Sequence, residues 1–163
     1  MPHLNAAYNL ARWLMRNDHD AEDAVQDAYL RAFRFFDSFD GEDARAWLLA
    51  IVRNRCRSAL AQTPRRAATA EFDEGKHALD TGAPDPESVA LRKSEIHSLR
   101  ACIDGLPNEY REVIVLRELE QMSYKEVATA VAVPVGTVMS RLSRGRIRLQ
   151  ECIASRLKRE VRQ

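Results

Sequence analysis

Near the carboxyl end, Arg141, Arg144, Arg146 and Arg148 stand among the small hydroxyls of Thr137, Ser140 and Ser143 on a stretch with helical spacing. A guanidinium forks two donors toward phosphate oxygens or a guanine edge, and a hydroxyl reaches either, so these types support recognition of nucleic acid rather than bond-making. With Val138, Leu142, Gly145 and Leu149 turned inward, the opposite side carries Gly136, Met139, Ser140, Ser143 and Arg144, where base edges would be met. Arg141, Arg146 and Arg148 flank that side toward phosphates, and Thr137 with the first free N–H groups of the helix offers another phosphate a place. The plainer alternative is a solvated basic helix. What favours DNA is the sequence just upstream: Ser123, Tyr124, Lys125 and Glu126 make a capping-box pattern, a short apolar helix follows through Val127, Ala128 and Val131, and Val133, Pro134, Val135 and Gly136 break it. A short capped helix, a tight break and a longer basic helix are the outline of a helix-turn-helix.

Two other constellations sit in the first third. Residues 18–27 hold five acids (Asp18, Asp20, Glu22, Asp23, Asp27) and no Lys or Arg. Acids at the front of a helix serve its dipole, yet Asp23, Gln26, Asp27 and Leu30 also share a face that suits docking to a basic protein element. Further on, Phe39 on a polar loop precedes a helix with Arg45, Arg53, Asn54 and Arg57 outside its apolar stripe. A ring beside guanidiniums suits unstacked bases; the alternative is that Phe39 and Trp47 are core residues, which is the preferred reading for Trp47. No catalytic group or metal site is expected, because His3, His19, His77 and His97 are scattered and Cys56, Cys102 and Cys152 lack any ligand spacing. The three thiols read as unpaired small apolar residues of a reducing compartment.

The elements that must position these groups follow from apolar periodicity. Leu4, Ala7, Tyr8, Ala11, Leu14 and Met15 form one helical stripe; Ala21, Ala24, Val25, Ala28, Ala32, Phe33 and Phe36 a second; Ala44, Trp47, Leu48, Ile51, Val52, Cys56, Ala59 and Leu60 a third. Three such helices pack as a bundle over residues 1–62. Residues 63–85 lose the pattern and read as a flexible linker. Residues 86–163 form a second helical unit, with Asp85 as cap, Pro86 in the first turn, Gly105 ending one helix and Pro107 opening the next. The expectation is therefore all-α: two small helical domains, possible in 163 residues because each core is modest. Lys plus Arg number 25 against 24 Asp plus Glu, but the chain is acidic early, and residues 136–163 hold eight bases against two acids, which implies two different partners. No apolar run long enough to span a bilayer and no signal peptide is found, so a soluble, cytoplasmic protein without membrane insertion is expected.

Taken together, the residues resemble a known family. The run DAEDAVQDAYLRAF from Asp20 and AWLLAIVRN from Ala46 are similar to region 2 of sigma-70 factors. Leu106 with Pro107, Arg111, Leu116 to Leu119, Ser123 to Glu126, Gly136 to Val138 and Ser140 to Leu142 resemble region 4 of the extracytoplasmic-function (ECF) group. These matches cover about two thirds of the chain, in order. The resemblance implies a transcription initiation factor, not an enzyme, without a cofactor. It implies that Asp23, Gln26, Asp27 and Leu30 meet the clamp helices of the largest subunit of core RNA polymerase, with the flap of the second-largest subunit a further partner. Phe39, Arg53, Asn54 and Arg57 would meet the minus-ten element, where a base is flipped from the stack and a pocket recovers part of the cost. Gly136, Thr137, Met139, Ser140, Arg141, Ser143, Arg144 and Arg148 would meet the minus-thirty-five element of promoter DNA. Control by an anti-sigma factor is also implied.

Two departures from the family pattern bear on function. Met139 stands where many members have Lys or Arg and donates no hydrogen bond, so a different minus-thirty-five preference is expected. Members usually also carry a further helical stretch before the segment matching Leu4; either the start lies downstream of the natural one or the first bundle lacks a support. Two other functions compete with the resemblance. A stand-alone helix-turn-helix regulator would bind an operator without polymerase, and a helical adaptor touching only proteins would leave the face from Arg141 to Arg148 without a role.

Overall fold

The computed structural model describes residues 2–62 and 85–162. Seven α-helices account for most of them: α1 Leu4–Met15, α2 Asp18–Arg34, α3 Ala44–Gln62, α4 Pro86–Asp104, α5 Asn108–Ile114, α6 Tyr124–Val131 and α7 Val135–Val161. A 3-10 turn, Phe36–Ser38, follows α2, and α5 runs on into a π-helical turn, Val115–Leu119. No strand occurs among the described residues, and none of their helices is long and apolar enough to cross a membrane.

The first three helices form the expected bundle. Asn17 caps α2 by accepting the N–H of Asp20 at 3.0 Å, and Arg12 reaches Asp18 at 2.7 Å, so the α1–α2 corner is closed by side chains. Leu10, Leu49 and Val52 are fully enclosed at its centre, each side chain contributing roughly 1.5–3 kcal/mol by leaving water. The second and third stripes need correction. Phe33 and Phe36, expected inside, are 70% and 62% exposed, because α2 outlasts the surface that α1 and α3 offer it. On α3 the buried set is Ala46, Leu48, Leu49, Val52, Arg53 and Cys56, whereas Ala44 and Leu60 are exposed. The face is wider than the stripe because α3 packs on α1 and α2 with one side and on α6 with another.

The second unit follows its punctuation. Pro86 occupies the first turn of α4, Gly105 ends it, and Pro107 precedes α5, though the Asp85 side chain makes no capping bond. The linker assignment falls mostly on residues 63–84, outside the described residues.

One reading of the thiols is overturned. Cys102 on α4 and Cys152 on α7 are joined as a disulfide, with Cα atoms 5.8 Å apart. Fifty residues separate them, and only the packing of α4 along α7 reveals the pairing. Cys56 is free and enclosed, and burial pushes its thiol up to about 12. Protein prepared without reductant and then denatured is expected to take up one equivalent of alkylating agent, at Cys56, and three after reduction. Mass spectrometry counts the adducts, and three before reduction would show the pair open. The folded chain should resist alkylation of Cys56 at neutral pH, where almost no thiolate exists.

The two units also meet. Arg53 on α3 donates to both carboxylate oxygens of Glu112 on α5, at 2.8 and 2.9 Å, with both side chains buried. Arg45 reaches the carbonyl of Glu120 at 2.7 Å and its carboxylate at 3.1 Å, which Asn9 also contacts at 3.2 Å. Arg16, at the end of α1, donates to the carbonyl of Asp104.

Candidate nucleic-acid interface

The α6–α7 pair is built as its punctuation requires. Ser123 Oγ accepts the N–H of Glu126 at 3.1 Å, while the Glu126 carboxylate accepts the N–H of Ser123 at 2.6 Å, completing the capping box. Ala132 takes a left-handed conformation, φ 56°, to end α6, and Pro134 stands before the first residue of α7. The helix thus begins at Val135, and Val135 and Gly136 belong to it rather than to the break. Val138, Leu142 and Gly145 are buried, with Leu149 packed against the same core. A Cβ at Gly145 would stand 3.1 Å from Ile114 Cγ1, so glycine lets α7 approach α5 closely.

The opposite side of α7 carries the expected set. Gly136, Met139, Ser140, Ser143 and Arg144 are all exposed, Met139 at 52%. Nothing lies within 4 Å of a Cβ built at Gly136, so the backbone there is open to an approaching group. Ser140 donates to the Thr137 carbonyl at 3.0 Å, leaving its oxygen as an acceptor. The flanking arginines are engaged within the chain. Arg146 pairs with Glu118, Arg148 lies 5.2 Å from the centre of the Tyr110 ring, and Arg141 is 3.8 Å from Glu112. Thr137 is half-buried.

On α2, Asp18 and Asp20 occupy the first turn, where the helix dipole accounts for them. Asp23 and Gln26 lie beyond its reach and are exposed, Asp27 is half-buried and pairs with Arg55 at 2.8 Å, and Leu30 is 57% exposed. These four share one face, and Phe33 extends it. A groove of about 710 Å³ runs beside them, lined by Leu4, Tyr8, Val25, Tyr29, Leu30 and Phe33 among others. Leu30 was expected at the edge of this surface, but Phe33 was not, because it sits in register with the core stripe.

Between the end of α2 and α3 lies a smaller recess of about 250 Å³, lined by Arg31, Phe35, Trp47, Ile51, Asn54, Arg55 and Ser58. Phe39 packs on Trp47, ring centres 5.1 Å apart, with Phe36 at 6.3 Å. Trp47 is half-buried, so it is both core and pocket wall. Asn54 and Arg57 are exposed on the next turns. Arg53 is not among them: it is 5% exposed and turned to Glu112. Periodicity gave no sign that Arg31 and Arg55 would supply the charge here.

Residues 1–66 match the family model described as sigma-70 region 2, and residues 96–149 the one described as sigma-70, region 4. The chain is 37% identical over 144 residues to the RNA polymerase sigma-H factor of Pseudomonas aeruginosa, covering 82% of this chain and 74% of that protein. The chain belongs to the sigma-70 family, in its ECF group. The ECF RNA polymerase sigma-E factor of Escherichia coli is 36% identical over 78% of this chain and 70% of its own length. The ECF sigma factor SigE of Mycolicibacterium smegmatis is 32% identical over 93% of this chain, which spans only 59% of that longer protein. The fold agrees with two solved structures. Sigma factor RpoE of Bartonella quintana, solved in complex with the anti-sigma factor NepR, has a TM-score of 0.69 at 27% identity, over 93% of this chain and 91% of the other. CnrH, solved with the cytosolic domain of CnrY, has a TM-score of 0.67 at 25% identity, over 94% and 83%. In this ECF chain α1 to α3 are thus region 2 and α4 to α7 carry region 4, with α6 and α7 its helix-turn-helix.

Proposed function

We propose that this chain is a dissociable subunit of RNA polymerase that directs promoter-specific initiation in the cytoplasm, region 2 docking on core polymerase and opening the minus-ten element and region 4 reading the minus-thirty-five element. The observation that carries this reading is one chain with two exposed surfaces of opposite character: the acidic and apolar face of α2, and the hydroxyl and guanidinium face of α7. Asp23, Gln26, Asp27 and Leu30 contact the clamp helices of the largest subunit, and region 4 also meets the flap of the second-largest. Asn54 lines the recess that accepts an unstacked base, Phe39 packs on its Trp47 wall, Arg57 is exposed one turn further along α3, and Arg53 joins them once released from Glu112. On α7, Ser140, Ser143 and Arg144 address bases, Met139 makes an apolar contact, and Gly136, Thr137, Arg141 and Arg148 hold the backbone. The chain contributes binding energy and strand separation while polymerase supplies the chemistry. An anti-sigma factor holds it inactive; the two structural relatives were captured in complexes with NepR and CnrY.

Run-off transcription with core polymerase on a promoter library tests the reading and reports both sequence preferences. Transcripts from a discrete promoter class are expected. Tight duplex binding by the chain alone, with no effect of core, would instead mark an operator-binding regulator. Within that assay, Arg144→Ala is expected to lower output from promoters with a matched minus-thirty-five element by roughly 10- to 100-fold, the worth of one well-placed arginine at a base edge. Unchanged output would remove α7 from DNA recognition.

A further inference from the structure

We infer that the start of α7 reads the methyl group of a thymine in the minus-thirty-five element, with Met139 as the residue that selects it; the inference deepens the sigma reading above and rests on it. In a helix-turn-helix the first turns of the second helix meet base edges in the major groove. α7 begins at Val135 and Met139 stands one turn on, so the two side chains are neighbours on the helix surface. Both are open, Val135 at 40% and Met139 at 52%. Gly136 adds no side chain beside them, and nothing in the fold crowds its position. The recognition helix therefore opens on an apolar patch, while hydroxyls and guanidiniums make up most of the exposed face beyond it.

The chemistry of the groove leaves that patch one good match. Guanine offers two acceptors there, adenine an acceptor and an amino group, and cytosine an amino group. Thymine sets a carbonyl beside the one apolar feature of the whole edge, its C5 methyl. A thioether donates nothing, so a guanine pressed against Met139 would lose water from its acceptors without replacement. A methyl loses nothing by the same contact, and the long unbranched Met side chain adapts its rotamer to cover it. Ser140 agrees. Its hydroxyl hydrogen is given to the Thr137 carbonyl at 3.0 Å, so its oxygen is left as an acceptor, which suits the amino group of a base. An A·T pair presents both, the thymine methyl and the adenine amino group, on one edge. Arg146, two turns beyond Met139 on the same side, is held by Glu118 and brings no competing donor to that edge. Arg144, exposed one turn past Ser140, keeps the fork that suits guanine, so guanine is expected further along the element.

The test is a methyl deletion made in the DNA, which leaves the fold of the protein untouched. Holoenzyme assembled from the full chain and core polymerase transcribes a library randomised across the minus-thirty-five element. Each thymine of the preferred element is then replaced by deoxyuridine, on either strand. One position is expected to lose about 4-fold in promoter affinity with its methyl, the worth of one buried carbon. Met139→Ala should bind thymine and uracil alike at that position and leave the response at the other positions as it was. Met139→Arg should exchange the preference there from thymine to guanine by about 10-fold. Equal binding of thymine and uracil at every position, or a preferred element without thymine, in a holoenzyme that transcribes would overturn the methyl contact and leave the sigma reading standing. A methyl effect that persists in Met139→Ala would overturn it in the same way. Methyl dependence in duplexes selected by the chain alone, with no transcript from any promoter, would instead sink the sigma reading and keep the contact as that of an operator-binding regulator.

Discussion

Replacing Arg111 by Ala is expected to cost region 4 roughly 3–5 kcal/mol, because it removes one buried, charged donor from three carbonyls at once. The last carbonyls of a helix have no partner within it. At the end of α4 those of Ile103 and Asp104, with that of Leu106 just beyond, all accept from the Arg111 guanidinium, at 3.2, 2.6 and 2.6 Å. The remaining nitrogen reaches Asn108 Oδ1 at 3.0 Å. Desolvation pulls this guanidinium down to about 10, so it stays protonated at neutral pH and caps the negative end of α4 with a full charge. Lysine offers a single ammonium on a flexible stem and does not serve three carbonyls spread over a corner, so Arg111→Lys should recover no more than about half of the loss. Denaturant midpoints followed by helical circular dichroism measure both. A change within about 0.5 kcal/mol of the parent, the range of an ordinary surface substitution, would show that something else holds the corner.

Arg111 also marks what a sequence conveys and what it withholds. Its presence after Leu106 and Pro107 belonged to the family pattern, but its task is set by three carbonyls that only the folded corner brings together. Local signals translated directly. The capping box at Ser123 and Glu126 formed as spaced, and the inward stripe of Val138, Leu142 and Gly145 left Met139, Ser140, Ser143 and Arg144 outside, because both depend only on the helical repeat. Signals that depend on a second element did not. Arg53 looks from its own helix like an exposed basic residue beside Asn54; it is buried because α5 presents Glu112 to it. Cys102 and Cys152 look unrelated until α4 and α7 lie together. Phe33 has the register of a core residue and is exposed because the bundle ends beneath it.

α3 is where these two kinds of information collide. A helix with one buried face announces itself by a single stripe, and one with two buried faces blurs the stripe. Ala46, Leu49 and Arg53 are buried between the expected apolar positions, and for Arg53 the cover is Glu112 of α5. Arg45 and Arg53 make the polar pairs of that side, beside a buried apolar cluster that runs on from region 2 into region 4.

A charge reversal on α2, Asp23→Lys with Asp27→Lys, is expected to weaken association with core polymerase by about 100-fold or more, some 3 kcal/mol, as attraction at a docking face becomes repulsion. Both positions lie past the first turn of the helix, so the dipole loses little by their change. Asp27 has a second task, its pair with Arg55, and a partly exposed pair of this kind is worth about 0–1 kcal/mol. Asp27→Asn breaks that pair without reversing the charge, and it should retain most of the affinity and nearly all of the stability. Leu30→Ala removes the apolar edge alone, so its loss should persist as salt is raised, whereas the electrostatic share measured at Asp23 should shrink with screening. Titration of labelled chain with core polymerase at two ionic strengths separates the contributions. Undiminished association of the doubly reversed chain would mean that α2 is not the docking element, and region 2 would then have to grip polymerase through the recess by Trp47, the surface that the proposed function reserves for the unstacked base.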